Sequence, residues 1–148
     1  MKVFERIIDR RIRDIIQVTT NQYGFVANCA TTGAIHAARL MIEKHWEKQK
    51  PLHLAFLDLE KVFDRVPHEV IWYALRWHGV PEELIEWVRI LYADPRSRVQ
   101  ATAGTSAEFP ISVGVHQGSA LSPLLFIVVM DCYERSPQTD AMDSALRK

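Results

Sequence analysis

Apolar residues recur at helical spacing over much of this chain, and that period limits the fold to one built mainly from amphipathic helices. The first such stretch is residues 3–16, where arginine and aspartate occupy the opposite face. The pattern predicts a helix that buries one side against a core. The residues on its apolar face are Phe4, Ile8, Ile12 and Ile15.

A second helix is predicted to begin after Thr31-Thr32, a pair suited to N-capping, and to run to about Lys48. The helical spacing of apolar residues ends at this point. After Pro51, residues 52–57 form a short apolar run, which predicts a buried strand. The apolar face predicted for this second helix consists of Ile35, Ala38, Ile42 and Trp46.

Proline and glycine mark the boundaries of the elements that follow. Pro67 and Pro81 each lie where the first turn of a helix is expected, and Gly79 indicates the end of the earlier one. A last helix is predicted over residues 121–130, which are apolar almost all round and are therefore expected to be buried.

Two strand-like segments complete the pattern. Residues 98–102 and 109–113 flank Gly104 and predict a hairpin, with Pro110 on an edge strand. With 148 residues and no internal repeat, the chain has the length of one domain. The predicted fold class is α+β.

Composition excludes several classes of protein. The longest apolar run, residues 124–130, is far shorter than the ~20 residues that span a bilayer, so no membrane partner is expected. Cys29 and Cys132 have no C-x-x-C spacing, which argues against a zinc site or a disulfide framework. The sequence predicts an intracellular, non-secreted protein and leaves nucleus and cytoplasm open.

The charge distribution is uneven although the net charge is zero, with 18 basic and 18 acidic residues. Residues 1–50 carry nine basic and five acidic side chains, whereas residues 51–148 carry nine and thirteen. A zero net charge argues against a nucleic-acid binder, because phosphate contacts supply most of such affinity. A basic first third suits an element that grips nucleic acid, but from charge alone chance is the favoured explanation.

Two stretches carry the residues with chemical potential. Asp58 directly follows the apolar run at 52–57, where a carboxylate can hold a magnesium ion at a strand end. Taken alone, Asp58 is better explained as the end of the strand, and Asp64 as a cap of the helix near Pro67. Residues 114–124 alone indicate a loop leading into a helix, with a packing or solvated role for His116.

Together the two stretches resemble the reverse transcriptases of non-LTR (LINE-type) retrotransposons. Residues 56–64 are similar to the first palm motif, F-x-D-x-x-x-A-F-D, with Val62 where alanine is usual. Residues 117–123 match the second, Q-G-x-x-x-S-P, and residues 22–25 resemble the fingers motif Q-x-G-F. The resemblance covers nearly the whole length and ends near Cys132.

The resemblance implies a fold and a set of partners. It implies an α+β reverse transcriptase domain, with helices packed on a small antiparallel sheet. Partial fingers would occupy about residues 1–50, the palm about 51–131, and a divergent tail 132–148. The implied partners are an RNA template and a DNA primer, and the implied cofactor is Mg²⁺.

Residue roles also follow from the resemblance. Asp58 is the implied catalytic carboxylate and would bind Mg²⁺ beside the carbonyl of Leu59. Phe63 would be the steric gate that favours deoxynucleotides. The implied nucleotide-binding residues are Lys61, Val62, Phe63, Gln117 and Gly118, and the implied template-binding residues are Gln22, Gly24 and Phe25.

The family's third palm motif, (Phe/Tyr)-Ala-Asp-Asp, is absent from residues 1–148. Residues 92–95 are similar in letters, but they lie between the first two motifs and end in proline. We therefore expect this chain to be a truncated fragment of an RNA-directed DNA polymerase that is inactive alone. The alternatives are a non-catalytic remnant that binds RNA or a partner, and an unrelated α+β protein with chance motifs.

Overall fold

Helices dominate the part of the chain that a computed structural model describes, residues 2–26, 29–56, 58, 60–102 and 104–135. The elements are α1 (Lys2–Arg13), α2 (Thr31–Glu47), α3 (Val62–Arg65), α4 (His68–Trp77), α5 (Glu82–Leu91), β1 (Arg96–Ser97), β2 (Gln100–Ala101), β3 (Gly104–Thr105), β4 (Phe109–Pro110) and α6 (Ser122–Arg135). Their order agrees with the α+β prediction. None of the described helices is long and apolar enough to cross a bilayer. The chain divides into two compact units, one formed by Met1–Val18 with Lys61–Lys148 and the other by Thr19–Glu60.

The core of the first unit lies between α1, α4, α5 and α6. Ile8 and Ile12 of α1 are fully buried, as the helical period predicted. Helix α6 is buried on almost every side, which confirms the prediction for residues 121–130, and it continues to Arg135. Each fully buried aliphatic side chain contributes about 1.5–3 kcal/mol to stability. The largest fully buried apolar side chains are Ile8, Ile12, Ile71, Leu75, Ile85, Leu121, Leu124, Leu125 and Ile127.

The predicted boundaries of α4 and α5 are confirmed. Pro67 and Pro81 are the N-cap residues of the two helices, where a missing N–H costs nothing. Gly79 follows α4 with a φ of 76°, a conformation that favours glycine. The Val80 N–H donates to the Leu75 carbonyl at 3.0 Å, the bond that closes a Schellman motif.

The predicted hairpin between residues 98–102 and 109–113 is only partly correct: antiparallel strands are present around Gly104, but they pair differently, in two short ladders. Arg96 pairs with Pro110 in β1 and β4, and Gln100 pairs with Thr105 in β2 and β3. Gly104 begins β3 rather than forming the turn itself. The sequence predicts helices packed on a small sheet. The strand residues are instead largely exposed, and the core lies between helices.

Helix α2 belongs to the second unit and differs from the prediction at its start. The N-cap is Ala30 and makes no side-chain cap bond, so the predicted Thr31-Thr32 cap is wrong. The helix buries no side chain, and Ile35 and Trp46 of its predicted apolar face are 63% and 77% exposed.

The predicted strand at 52–57 is wrong for residues 52–56, and Leu57 lies outside the described residues. Residues 52–56 have no regular structure, and Phe56 is 90% exposed. A strand requires a neighbour that satisfies its N–H and C=O groups. No described residue pairs with this segment.

A buried carboxylate, Asp131 of α6, lies beside His78, the C-cap residue of α4. Asp131 is 1% exposed, and its Oδ2 lies 3.5 Å from His78 Nε2 and 3.3 Å from Arg135 Nη1. The His78 side chain is 3% exposed. Burial lowers the pKa of His78 below its ordinary value of 6.5, against the opposing pull of Asp131.

We expect acidification to destabilise the first unit through His78. Because the folded-state pKa is lowered, the unfolded state binds more protons once the pH falls below 6.5. The stability is therefore fully present above the unfolded-state value of 6.5 and is lost progressively as the pH falls from there through the lower folded-state pKa. Urea unfolding from about pH 7.5 to about pH 5.5 measures the loss. His78→Gln should flatten this dependence, whereas the exposed His36→Gln should not; equal slopes in all three chains would refute the assignment.

Candidate nucleotide site

Helix α3 and the loop before α6 are joined by backbone hydrogen bonds. The Val115 N–H donates to the Phe63 carbonyl at 2.7 Å, and the Gly114 N–H donates to the Val66 carbonyl at 2.8 Å. A bridge between Pro67 and Val113 extends the contact. Within the first unit, these bonds bring residues 61–64, the end of the first motif, beside the second motif, although about fifty residues separate them along the chain.

One side-chain hydrogen bond links the two stretches directly. Gln117 Nε2 donates to Asp64 Oδ1 at 2.7 Å, across a separation of 53 residues. Asp64 lies inside α3, and the N-cap of α4 makes no side-chain cap bond. The prediction that Asp64 caps the helix near Pro67 is therefore wrong, and its described partner is a residue of the second motif.

Gly114 is required where the two stretches meet. Its φ is 88°, a conformation in which a side chain is strained. A Cβ at this position would lie 2.8 Å from the Asp64 carbonyl oxygen and 2.9 Å from its carbonyl carbon. The close backbone approach therefore depends on the absence of a side chain.

A buried carboxylate holds the other side of the loop. Glu5 of α1 is 5% exposed, and its Oε2 accepts from Ser119 Oγ at 2.9 Å and from the Ala120 N–H at 3.2 Å. Ser122 Oγ donates to the His116 carbonyl within the same loop. Hydrogen bonds to a buried charge are stronger than neutral ones, so the segment after Gln117 is anchored to α1.

The remaining predicted nucleotide-binding residues lie around this junction. Phe63 is partly buried and its ring centroid lies 4.9 Å from that of Phe126. Lys61 precedes α3 with a φ of 52°, followed by the partly buried Val62. Gly118 is exposed, with a φ of 79° and open space where a Cβ would be. Their roles with nucleotide stay predictions.

An aromatic cluster forms one wall of a cleft of about 640 Å³ beside Asp64 and Gln117. The His116 ring stacks on Tyr92 with centroids 4.5 Å apart, and His68 meets Tyr92 edge-on. His68 Nε2 donates to the Gly114 carbonyl at 2.9 Å. Burial raises the pKa of Tyr92. The packing role predicted for His116 is confirmed.

Asp58 and the predicted template-binding residues belong to the second unit. Asp58 is exposed, and Leu59 lies outside the described residues. Gln22 Nε2 donates to the Gly24 carbonyl at 3.2 Å, and Phe25, with a φ of 57°, is 56% exposed. The catalytic, metal-binding and template-binding roles of these residues stay predictions.

The described residues do not form a clustered metal site. Magnesium prefers hard oxygen ligands in near-octahedral geometry, supplied by one or two carboxylates with substrate phosphates and water. Among the residues that the structure describes, no three His, Cys, Asp or Glu side chains cluster closely enough to hold a metal ion. Asp58 alone is an incomplete donor set for the predicted metal pair.

The sequence did not indicate the contacts made by Asp64 and Glu5. Asp64 carries the last letter of the first motif, yet nothing local distinguishes a cap from a long-range partner. Glu5 lies 114 residues from Ser119. The sequence pattern placed Glu5 in the predicted first helix but gave no sign of this contact.

Comparison with known proteins adds a family match. A family described as "Reverse transcriptase (RNA-dependent DNA polymerase)" matches residues 1–144. The match extends across both motif-bearing stretches and most of the chain. The predicted division at residue 131 is not tested by it and stays a prediction.

Individual relatives come from insect retrotransposons. The chain is 32% identical over 135 residues to the "Retrovirus-related Pol polyprotein from type-1 retrotransposable element R2" of Nasonia vitripennis, covering 91% of this chain and 13% of that protein. It is 31% identical over 127 residues to the polyprotein of type-2 element R2DM of Drosophila melanogaster, covering 84% and 12%. It is 30% identical over 129 residues to the "Probable RNA-directed DNA polymerase from transposon X-element" of the same organism, covering 84% and 14%. The chain thus spans roughly an eighth of these relatives.

Proposed function

The chain belongs to the reverse transcriptase family, and on that premise we propose that it carries part of the fingers and palm of a non-LTR retrotransposon polymerase, without polymerase activity of its own. The fingers are assigned to about residues 1–50 and the palm to about 51–131. The substrates of the complete domain are proposed to be an RNA template, a DNA primer and deoxynucleotides.

The contact between the two palm-like stretches is the observation that carries this proposal. In the family, both motifs serve one nucleotide pocket, so they must lie together. Here Gln117 Nε2 donates to Asp64 Oδ1 at 2.7 Å, and the Val115 N–H donates to the Phe63 carbonyl at 2.7 Å. Chance motifs in an unrelated fold would have no reason to meet.

The residue assignments follow the family pattern. Asp58 is proposed as a catalytic, metal-binding carboxylate with the Leu59 carbonyl beside it, and Phe63 as the steric gate. The nucleotide would be held by Lys61, Val62, Phe63, Gln117 and Gly118, and the template by Gln22, Gly24 and Phe25.

The proposed inactivity rests on the donor set. Phosphoryl transfer of this kind depends almost entirely on positioning and charge stabilisation. Residues 1–148 contain Asp58 but no (Phe/Tyr)-Ala-Asp-Asp sequence, and the described carboxylates form no metal-binding cluster. Primer extension by the 148-residue chain on an RNA template tests the proposal.

A second candidate function, RNA binding without catalysis, is favoured by the outer face of α1. Lys2, Arg6 and Arg10 recur every four residues, so they share one face of the helix, and all three are exposed. Within the part of the chain that the structure describes, none of the three forms an ion pair, whereas Arg13 pairs with Asp9 at 3.0 Å. Unpaired cations in a row suit a phosphate backbone.

We expect single-stranded RNA to bind this face in a salt-dependent manner. Replacing Arg6 and Arg10 together by glutamine should reduce the slope of log K against log [salt] by about 1.4, since each phosphate contact contributes about 0.7. Filter binding or fluorescence anisotropy at several salt concentrations measures the slope.

The matched control replaces two cations that the fold already pairs with carboxylates. Arg76 pairs with Glu82, and Arg96 pairs with Asp94. The double variant Arg76→Gln, Arg96→Gln has the same net charge as the Arg6, Arg10 variant. If both variants lower the slope equally, the effect comes from overall charge and the α1 face has no special role.

A further inference from the structure

We propose that Asp64 is a positioning residue that fixes the orientation of the Gln117 amide, so that Gln117 presents its Oε1 acceptor to a hydrogen-bond donor of the bound nucleotide. This inference rests on the proposed nucleotide-binding function of Gln117. The donor is a hydroxyl or amino group of the nucleotide, and a phosphate oxygen, which only accepts, is excluded from that contact.

The chemistry of the two groups dictates the orientation. An ionised carboxylate only accepts hydrogen bonds, so the amide end facing Asp64 must be the –NH₂ group. Gln117 Nε2 lies 2.7 Å from Asp64 Oδ1, the length of a charge-assisted bond. With Nε2 held on this side, Oε1 is the acceptor at the other end of the same amide, and no described residue donates to it. Without Asp64, an exposed glutamine amide would present either end.

Both partners are held by backbone contacts close to the side-chain bond. The Asp64 N–H donates to the Lys61 carbonyl at 2.9 Å. On either side of Asp64, the carbonyls of Phe63 and Val66 accept from the N–H groups of Val115 and Gly114. The segment after Gln117 is held from the other side by the buried carboxylate of Glu5, which accepts from Ser119 and Ala120. The backbones that carry Asp64 and Gln117 are therefore held in place. What remains open is which end of the Gln117 amide faces Asp64, and the carboxylate decides it.

The position of the pair fits a role in orientation more than in stability. Both Asp64 and Gln117 are exposed, and exposed charged contacts contribute little to folding. They also line the same cleft of about 640 Å³. An exposed amide at the mouth of a cleft is free to meet a ligand, and its fixed polarity selects which ligand group it meets.

Nuclear magnetic resonance of the side-chain amides provides the test, with dATP and Mg²⁺ as the probe. The Gln117 side-chain pair is identified by its absence in Gln117→Ala. In Asp64→Ala this pair should move toward the positions of solvent-exposed glutamines, and dATP should bind about fivefold more weakly, the loss expected for one hydrogen bond. Asp64→Asn, which retains the side-chain size and offers a donor or an acceptor, should also weaken dATP binding.

Glu82→Gln is the matched control, because it removes one exposed carboxylate charge from the first unit and pairs with Arg76 instead of Gln117. It should leave the Gln117 pair in place. Unchanged Gln117 resonances in Asp64→Ala, or unchanged dATP affinity in both Asp64 variants, would overturn the inference. In a third outcome, dATP leaves the Gln117 amide resonances of the parent chain unchanged, while Asp64→Ala still shifts them. The Asp64–Gln117 hydrogen bond would then be supported, and the proposed nucleotide-binding role of Gln117 would be wrong.

Discussion

Primer extension by the 148-residue chain is expected to remain at the level of a reaction without enzyme, on an RNA template with either Mg²⁺ or Mn²⁺. Correct positioning of reactants supplies about 10⁵-fold or more of the rate in reactions of this kind. If the proposed palm assignment holds, a single motif carboxylate, Asp58, is too few to fix two metal ions relative to primer and nucleotide. The expected loss is therefore nearly the whole rate enhancement.

The decisive comparison is with Asp58→Ala. If the proposal holds, parent and variant give the same background signal, because Asp58 by itself does not form an active metal site. Extension by the parent chain that Asp58→Ala abolishes would sink the proposal of inactivity and would make Asp58 a catalytic residue of this chain as it stands. Circular dichroism of both proteins checks that each sample is folded.

Gly114→Ala is expected to lower the free energy of unfolding by about 2–5 kcal/mol, the largest stability effect of a single methyl group that we expect in this chain. A backbone φ of 88° costs a non-glycine residue about 1–2 kcal/mol. The new Cβ would also lie 2.8 Å from the Asp64 carbonyl oxygen. Relieving that overlap means moving α3 away from the loop, at a typical cost of about 1–3 kcal/mol.

Gly79→Ala separates the two contributions. Gly79 has a similar φ of 76° but has no atom within 4 Å of the Cβ position. Gly79→Ala should therefore lower the free energy of unfolding only by the conformational part, about 1–2 kcal/mol. Urea unfolding of the two variants gives the steric part as the difference. Equal losses would mean that the contact between Gly114 and Asp64 is looser than described.

The residues that make up the local structure were largely predictable from the sequence. Helical spacing identified α1 and α6, with Ile8 and Ile12 of the predicted α1 face buried but Phe4 and Ile15 exposed, and the pair Pro67 and Gly79 located both ends of α4. The sequence placed strands around Gly104 but not their pairing. The family resemblance was likewise a property of the sequence, because it rests on letters at fixed spacing, and the match over residues 1–144 confirms it.

Apart from the Thr31-Thr32 cap, which is wrong although it is local, the predictions that failed were those that depended on a distant partner. Residues 52–56 have the apolar composition of a buried strand, but a strand forms only where another strand accepts its hydrogen bonds, and composition carries no information about that neighbour. Asp64 has the local setting of a helix cap, yet its carboxylate bonds to Gln117, 53 residues away.

The sequence by itself determined most of the helices, both ends of α4 and the family, because periodicity, capping and turn chemistry act over a few residues. Only the tertiary structure decided which side chains meet around the candidate site. Asp64 reaches Gln117, and Glu5 reaches Ser119, through chain reversals that depend on the packing of α1, α4 and α6 as a whole. Contacts of that kind arise from the sum of many weak burial terms, which no local pattern of residues encodes.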